Sequence, residues 1–245
     1  MNNLKGLELY ATESAFKTQE LDLSNPTVAY IEEGNKTYIR PRCSIRLVYD
    51  IQDSVNQITS IFNYIDDSAY RVISMSVDGV VLDQPVTTYT FNTTGQHIIR
   101  AIFEYKSGDF QILDNIDSNN ELVEVKFEDK YSINGEYLIL HDMGIYNGNA
   151  LNKVTKLDLM ELPLNYSNQT TKPYFDLGTE KFPNLEALIM PKNMKPSSVG
   201  VYFIPVSFNG TVYLPKSGDY MSYITEYTFP NATILYYDKN GNLDA

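Results

Sequence analysis

The sequence predicts a mainly β chain in two parts, a two-sheet sandwich followed by an irregular stack of short strands. Between residues 43 and 106 apolar and polar side chains alternate with period two, the pattern of strands with one buried face. In the second half four similar segments recur, with offsets of 31, 24 and 22 residues from Leu159 to Met190 to Leu214 to Tyr236, close to the roughly 20 to 30 residues of stacked-coil repeats. Of the 245 residues 43% are hydrophobic, with 20 Tyr and 11 Phe, enough apolar surface to offset the entropy lost on ordering the chain.

The first 42 residues form an arm with its own strand signals. Leu7, Leu9 and Tyr10 come first, then Thr27 to Ile31, a Glu32-Glu33-Gly34-Asn35 turn and Lys36 to Arg40, which together read as a hairpin. Val28, Tyr30, Tyr38 and Ile39 are candidate anchor residues. Such an arm can dock on a partner by adding a strand to an exposed sheet edge, or it can complete the sandwich behind it.

Residues 43–113 carry the sandwich. Ile45, Leu47, Tyr49 and Ile51 alternate with Ser44, Arg46, Val48 and Asp50, and Ile73, Met75 and Val77 alternate with Ser74 and Ser76. Asp78-Gly79 suits a two-residue type I′ turn, in which both residues take positive φ, leading into Val80 to Leu82. A second hairpin is expected to join the Tyr89 and Phe91 strand, through Asn92 to Gly95, to a return strand with Ile99, Ala101 and Phe103 on one face. Short antiparallel strands at this spacing suit a sandwich. In Ser54 to Ile65 the apolar residues Val55, Ile58, Ile61, Phe62 and Ile65 fall at helical spacing, which leaves helix and bent strand open there.

The polar run Asp114 to Glu121 reads as the start of a connector over residues 114–134, with the stack in 135–245. Aligned strands there are Lys156 to Leu159, Ala187 to Met190, Thr211 to Leu214 and Thr233 to Tyr236. No single coil holds enough apolar surface to fold alone, so neighbours must share one core. Tyrosines crowd this end; Tyr213, Tyr220, Tyr223 and Tyr227 are candidate outward contacts, with core filling as the competing role.

Charge narrows the partners. A formal net charge of -12 and a pI near 4.6 set a field that repels phosphate backbones and anionic lipid. No apolar run approaches the ~20 residues of a membrane span, and Met1 to Tyr10 lacks the pattern of an export signal, so a soluble, unexported chain is expected. Cys43 is the single cysteine and excludes an internal disulfide; with Arg40 and Arg42 nearby its thiol is a weak reactive candidate, and burial is expected. The acceptor triplets at Asn35, Asn92, Asn165, Asn168, Asn209 and Asn231 read as turns.

No constellation in the sequence points to catalysis, and the chain is expected to be no enzyme. His97 and His141 are the two histidines, and neither has a nucleophile at fixed spacing. Glu32-Glu33 and Asp66-Asp67 are sequence neighbours, which in a strand point to opposite faces. Asp114 to Glu121 is rich in oxygen ligands but lacks the central Gly of an EF-hand loop. Neither cofactor nor metal is expected.

Ile73 to Val81, with Thr88-Tyr-Thr-Phe-Asn-Thr-Thr-Gly-Gln-His-Ile-Ile, resembles the immunoglobulin-like module that precedes BspA-type leucine-rich repeats in Bacteroidetes surface proteins and their phages. Phe182-Pro-Asn-Leu-Glu-Ala-Leu and Gly210-Thr-Val-Tyr-Leu-Pro-Lys resemble the repeat region itself. The resemblance covers roughly residues 43 to 245, with fewer coils and a blurred repeat cadence. It implies an immunoglobulin-like β-sandwich followed by a leucine-rich-repeat-like stack, as in capsid decoration and head-fibre proteins of crAss-like tailed phages. The expected partners are then the major capsid protein or other virion proteins, or a second copy of the chain, at the capsid exterior. A bacterial surface adhesion or glycan-binding module is the alternative, with a host-surface glycan as ligand.

Overall fold

Alternation in the first half and repetition in the second meet in one sheet. The computed structural model describes residues 7–10, 28–31, 36–39, 42–53, 55–66, 70–105, 116, 121–128, 142–144, 150–161, 174–176, 182–190, 208–216, 229, 231–238 and 240–243. Among these residues the chain is mainly β, with sixteen strands and no helix. The first half holds β1 (Leu7–Tyr10), β2 (Val28–Ile31), β3 (Lys36–Ile39), β4 (Arg42–Ile51), β5 (Ile58–Ser60), β6 (Tyr70–Val77), β7 (Val80–Val81), β8 (Thr88–Thr90) and β9 (Gly95–Tyr105). Then come β10 (Leu122–Glu128), β11 (Asp142–Gly144), β12 (Lys156–Asp158), β13 (Tyr174–Asp176), β14 (Ala187–Ile189), β15 (Thr211–Pro215) and β16 (Thr233–Tyr237). Nine strands share a mixed sheet in the order β16-β15-β14-β12-β10-β4-β9-β6-β7.

Register explains why that sheet is continuous. Val77 stands opposite Ile99, Ile99 opposite Leu47, Leu47 opposite Val125 and Val125 opposite Leu157. The row goes on through Leu188 and Val212 to Ile234. Seven of these side chains are buried, and Ile234 packs against the same cluster. One apolar row therefore crosses all eight strands from β6 to β16, and burying it on one side removes a contiguous strip of hydrocarbon from water.

β10 is the joint. It pairs antiparallel with β4 and parallel with β12, so the antiparallel and parallel parts of the sheet meet at a central strand. Residues 122–128 thus depart from the expected connector over 114–134: Leu122, Val125 and Phe127 are buried, and Ile116 is buried too, bridging to Phe62. Val125 and Phe127 alternate onto one face, and the register shift between Leu122 and Glu124 brings Leu122 onto the same face.

Beyond the joint, each parallel strand begins by donating to the strand before it. Thr155 N–H donates to Val123 O (3.0 Å), Glu186 and Ala187 N–H to Thr155 O (2.8 and 3.0 Å), Thr211 N–H to Glu186 O (2.8 Å) and Thr233 N–H to Gly210 O (2.9 Å). A tight turn precedes three of the four strands, closed by Val154 on Leu151, Leu185 on Phe182 and Ala232 on Phe229, each at 3.2 Å. Upstream in the first two coils, β11 and β13 pair in parallel as well. In the third coil Gly210 brings its backbone against Glu186 O; a Cβ there would strike that oxygen and the Phe208 ring. Gly210→Ala is expected to cost about 1–3 kcal/mol, read as a lowered urea midpoint with unchanged slope.

In the first half the Asp78-Gly79 turn forms as expected, with φ of 50° and 85° and Val77 opposite Val80. Two expectations are corrected. The hairpin between β8 and β9 does not form: β8 pairs antiparallel with β5 in a separate ribbon, and Gly95 at φ 101° opens β9 in the large sheet. Aromatic burial explains the crossing, because Phe91 lies 5.8 Å from Tyr49, 5.2 Å from Tyr89 and 4.7 Å from the His97 ring. Ile73 also leaves the inward row, since a bulge between Val72 and Ser74 shifts the register and gives Val72, Met75 and Val77 the buried positions.

Within the 54–65 segment, residues 55–65 form turn and strand. Asn56 takes φ 63° and donates its N–H to Phe91 O at 2.8 Å, after which β5 runs extended. Ile61 and Phe62 are buried, with Phe62 edge-on to Phe103 at 5.5 Å, whereas Ile58 faces out. β1, β2 and β3 form their own three-stranded sheet, parallel between β1 and β2 and antiparallel between β2 and β3, so the two strands of the expected hairpin are paired, while its turn lies outside the described residues.

Candidate interaction surface

Among the described residues Ile58, Val80 and Val81 are the most exposed large apolar side chains. The type I′ turn leaves β7 only two residues long at the margin of the large sheet, and Val80 and Val81 are each 68% exposed. Leu82 N–H still reaches Met75 O at 2.9 Å, and Pro85, which has no N–H to give a ladder, helps turn the chain back to β8. Between residues 82–86 and the β5–β8 ribbon runs an open groove of about 610 Å³. Ile58, Leu82, Val86 and Tyr89 supply its apolar lining, and Asp83, Gln84, Thr88 and Thr90 its polar lining. Ile58, 76% exposed, stands in its wall.

On the opposite side of the large sheet one register row is polar over its first half. Arg100, Arg46 and Lys126 follow one another in register, and each meets a carboxylate: Arg100 with Glu128 (3.0 Å), Arg46 with Glu124 (2.7 Å) and Lys126 with Asp158 (3.4 Å). Adjacent like charges are thereby neutralised across strands. At Asp158 the row turns apolar, continuing through Ile189, Tyr213 and Leu235.

Tyr213, a candidate outward contact, is instead half-buried against Met160, Ile189 and Tyr237, because its register position lies over that apolar patch. Tyr237 closes the patch, donating its hydroxyl to Met190 O at 2.7 Å; burial, then the charges of Asp158 and Glu161, push its phenol well above the ordinary range, so it stays a donor. A turn follows in which Asp238 accepts from Asn240 N–H (2.8 Å), Asn242 N–H (2.9 Å) and the Asn242 side chain (2.9 Å). Those hydrogen bonds hold its carboxyl below the usual range and seat Gly241 on Met160. The turn also bridges Leu243 to Tyr237, covering part of the β16 edge.

The other sequence-chosen residues sort by register. Val28 stands opposite Ile39 and Tyr30 opposite Thr37, whereas Tyr38 stands opposite Ala29; Tyr38 therefore falls in the alternate set of positions. Tyr220, Tyr223 and Tyr227 lie outside the described residues, as do His141, Glu32, Glu33 and Asp67. Cys43 takes the register position opposite Phe103. Among the described residues no group of three or more His, Cys, Asp or Glu is placed to hold a metal ion.

The chain matches no protein-family model, no curated protein and no solved structure. Its functional reading rests on its own residues and geometry. Sequence reasoning passed over Ile58, Val80 and Val81, although one signal was present: two valines directly after a tight turn, where an edge strand has little room to bury them.

Proposed function

We propose that this chain is a structural protein of a phage particle, an auxiliary capsid (decoration) or head-fibre protein that acts through protein–protein contacts at the particle surface. We read its architecture as an immunoglobulin-like sandwich joined to a leucine-rich-repeat-like stack. What supports the reading, beside the sequence resemblance, is the exposed Ile58 in the wall of the groove and the exposed Val80 and Val81 on the edge strand that leads into its Leu82, on a body with an apolar row across eight strands of its large sheet. Large apolar side chains clustered at a surface favour a partner, because covering each fully contributes roughly 1.5–3 kcal/mol before the costs of association.

The test is occupancy on particles. Purified virions are expected to hold the wild-type chain at a fixed stoichiometric copy number, and an Ile58→Lys, Val81→Lys double variant, altered at exposed positions, is expected to fold normally and fall at least about tenfold in occupancy. Recovery of the wild-type chain with the host envelope and none in particles would remove the proposal. The groove's Asp83, Gln84, Thr88 and Thr90 beside Tyr89 also suit a sugar, which keeps a glycan-binding module as the second reading. A glycan array that stays blank at high protein concentration would end it.

A further inference from the structure

We propose that His97 is a proton-operated latch on the edge hairpin: its doubly protonated ring ties the Asp78-Gly79 turn and the loop at Thr93 to the start of β9, and loss of one proton loosens the tie. The inference stands apart from the particle-surface reading and rests on the hydrogen-bond chemistry of the ring. Nδ1 lies 2.7 Å from Asp78 Oδ2, and Nε2 lies 3.0 Å from Thr93 O. A carboxylate and a carbonyl can only accept, so for both contacts to be hydrogen bonds at once both ring nitrogens donate, and only the imidazolium has two N–H groups. A neutral ring would set a lone pair against one of those oxygens.

The surroundings fit a cation. Phe91 packs against the ring at 4.7 Å with an interplanar angle of 31°, which favours positive charge over the π face. Asp78 is clasped to β9 on both sides, its N–H donating to Ile98 O and its Oδ1 accepting from Ile98 N–H, each at 2.8 Å. From β4 the residue opposite is Tyr49, an aromatic ring, and the next carboxylate along that strand is Asp50, opposite Gln96. Thr93 Oγ1, 3.3 Å from Nε2, is placed to donate to a bare nitrogen. The proton therefore leaves from Nε2, and the Thr93 carbonyl contact is the one lost.

Signs follow from the partners. Burial opposes charge on His97, but the Asp78 hydrogen bond, the Thr93 carbonyl and the Asp78 charge outweigh it, raising the group above 6.5. Its contribution is thus fully present below the unfolded value and is lost as pH rises through the folded one. For Asp78 burial is likewise outweighed, by the His97 and Ile98 hydrogen bonds and the His97 charge, so its carboxyl sits below the ordinary value. Its contribution is lost only as pH falls through that lowered value. The latch holds between the two and opens on the alkaline side, loosening the hairpin that carries Val80 and Val81.

Ring-nitrogen NMR from about pH 5 to about pH 10 tests this, with His141→Gln assigning the two histidines. The expected result is a His97 midpoint above 6.5, a doubly protonated ring below that midpoint, and amide exchange at Asp78 and Ile98 that speeds about tenfold beyond its intrinsic pH dependence across it. Asp78→Asn keeps a residue tolerant of positive φ and should lower the midpoint. A midpoint at or below 6.5, or protection of those amides that ignores the His97 titration, would overturn the latch.

Discussion

Val125→Asp is expected to unfold both halves of the chain in one step, with a loss exceeding about 4–5 kcal/mol. Val125 is fully buried and stands in register between Leu47 of the antiparallel half and Leu157 of the stack. A carboxylate there has apolar neighbours in both directions along the row, so it must either stay charged without a partner or bind a proton against its ordinary tendency. Typical domains hold only about 5–15 kcal/mol in total, which leaves little for either half to keep. Val125→Ala gives the graded control, with an expected cost of about 2 kcal/mol from lost methyl burial and the space left behind. Urea unfolding should be followed by hydrogen exchange at amides of β9 and of β15. Coincident transitions support one cooperative sheet; a stack that survives the loss of the first half would show that β10 merely abuts it.

That experiment also marks where the sequence was legible. Leu157, Leu188, Val212 and Ile234 could be aligned before any coordinates because each sits in a similar short apolar segment, and the same four are register partners. Ile45, Leu47, Tyr49 and Ile51 were legible through strict alternation, and Asp78-Gly79 through turn chemistry. β10 was hidden by its neighbours: its own alternation is plain, but the polar run before it drew the whole stretch into a connector. Which strand it pairs with on either side is a long-range fact that no local pattern carries. β5 was obscured for the opposite reason, since Val55, Ile58 and Ile61 fit a helical spacing by coincidence while Asn56 at positive φ breaks any helix. The groove could not be read at all, being assembled from residues 58 and 82–90 on separate elements.

Glu104→Ala is expected to cost about 3–5 kcal/mol, because it strands a cation inside the sheet. Glu104 is 1% exposed and accepts from Arg71 Nη2 at 2.9 Å and Nε at 3.3 Å. Arg71 is itself largely buried, and the two are register partners, with Arg42 at the facing position on β4. Two residues along β6 comes the bulge at Ile73. A buried pair beside a bulge has a use distinct from stability: a slip of one residue would move Arg71 off Glu104 and turn the inward row of β6 outward. The cost of breaking the pair and the worth of having it therefore differ. Glu104→Gln, which keeps an acceptor and the shape, should lose less than Glu104→Ala, and the double variant Arg71→Leu, Glu104→Leu should recover most of the stability by removing both charges together. If the pair fixes register, that recovered variant should show altered amide exchange and chemical shifts along residues 70–77. A double variant as stable as the parent with β6 unshifted would make the ion pair a replaceable contact, and a Glu104→Ala loss below about 1 kcal/mol would place the carboxylate in water rather than in the sheet.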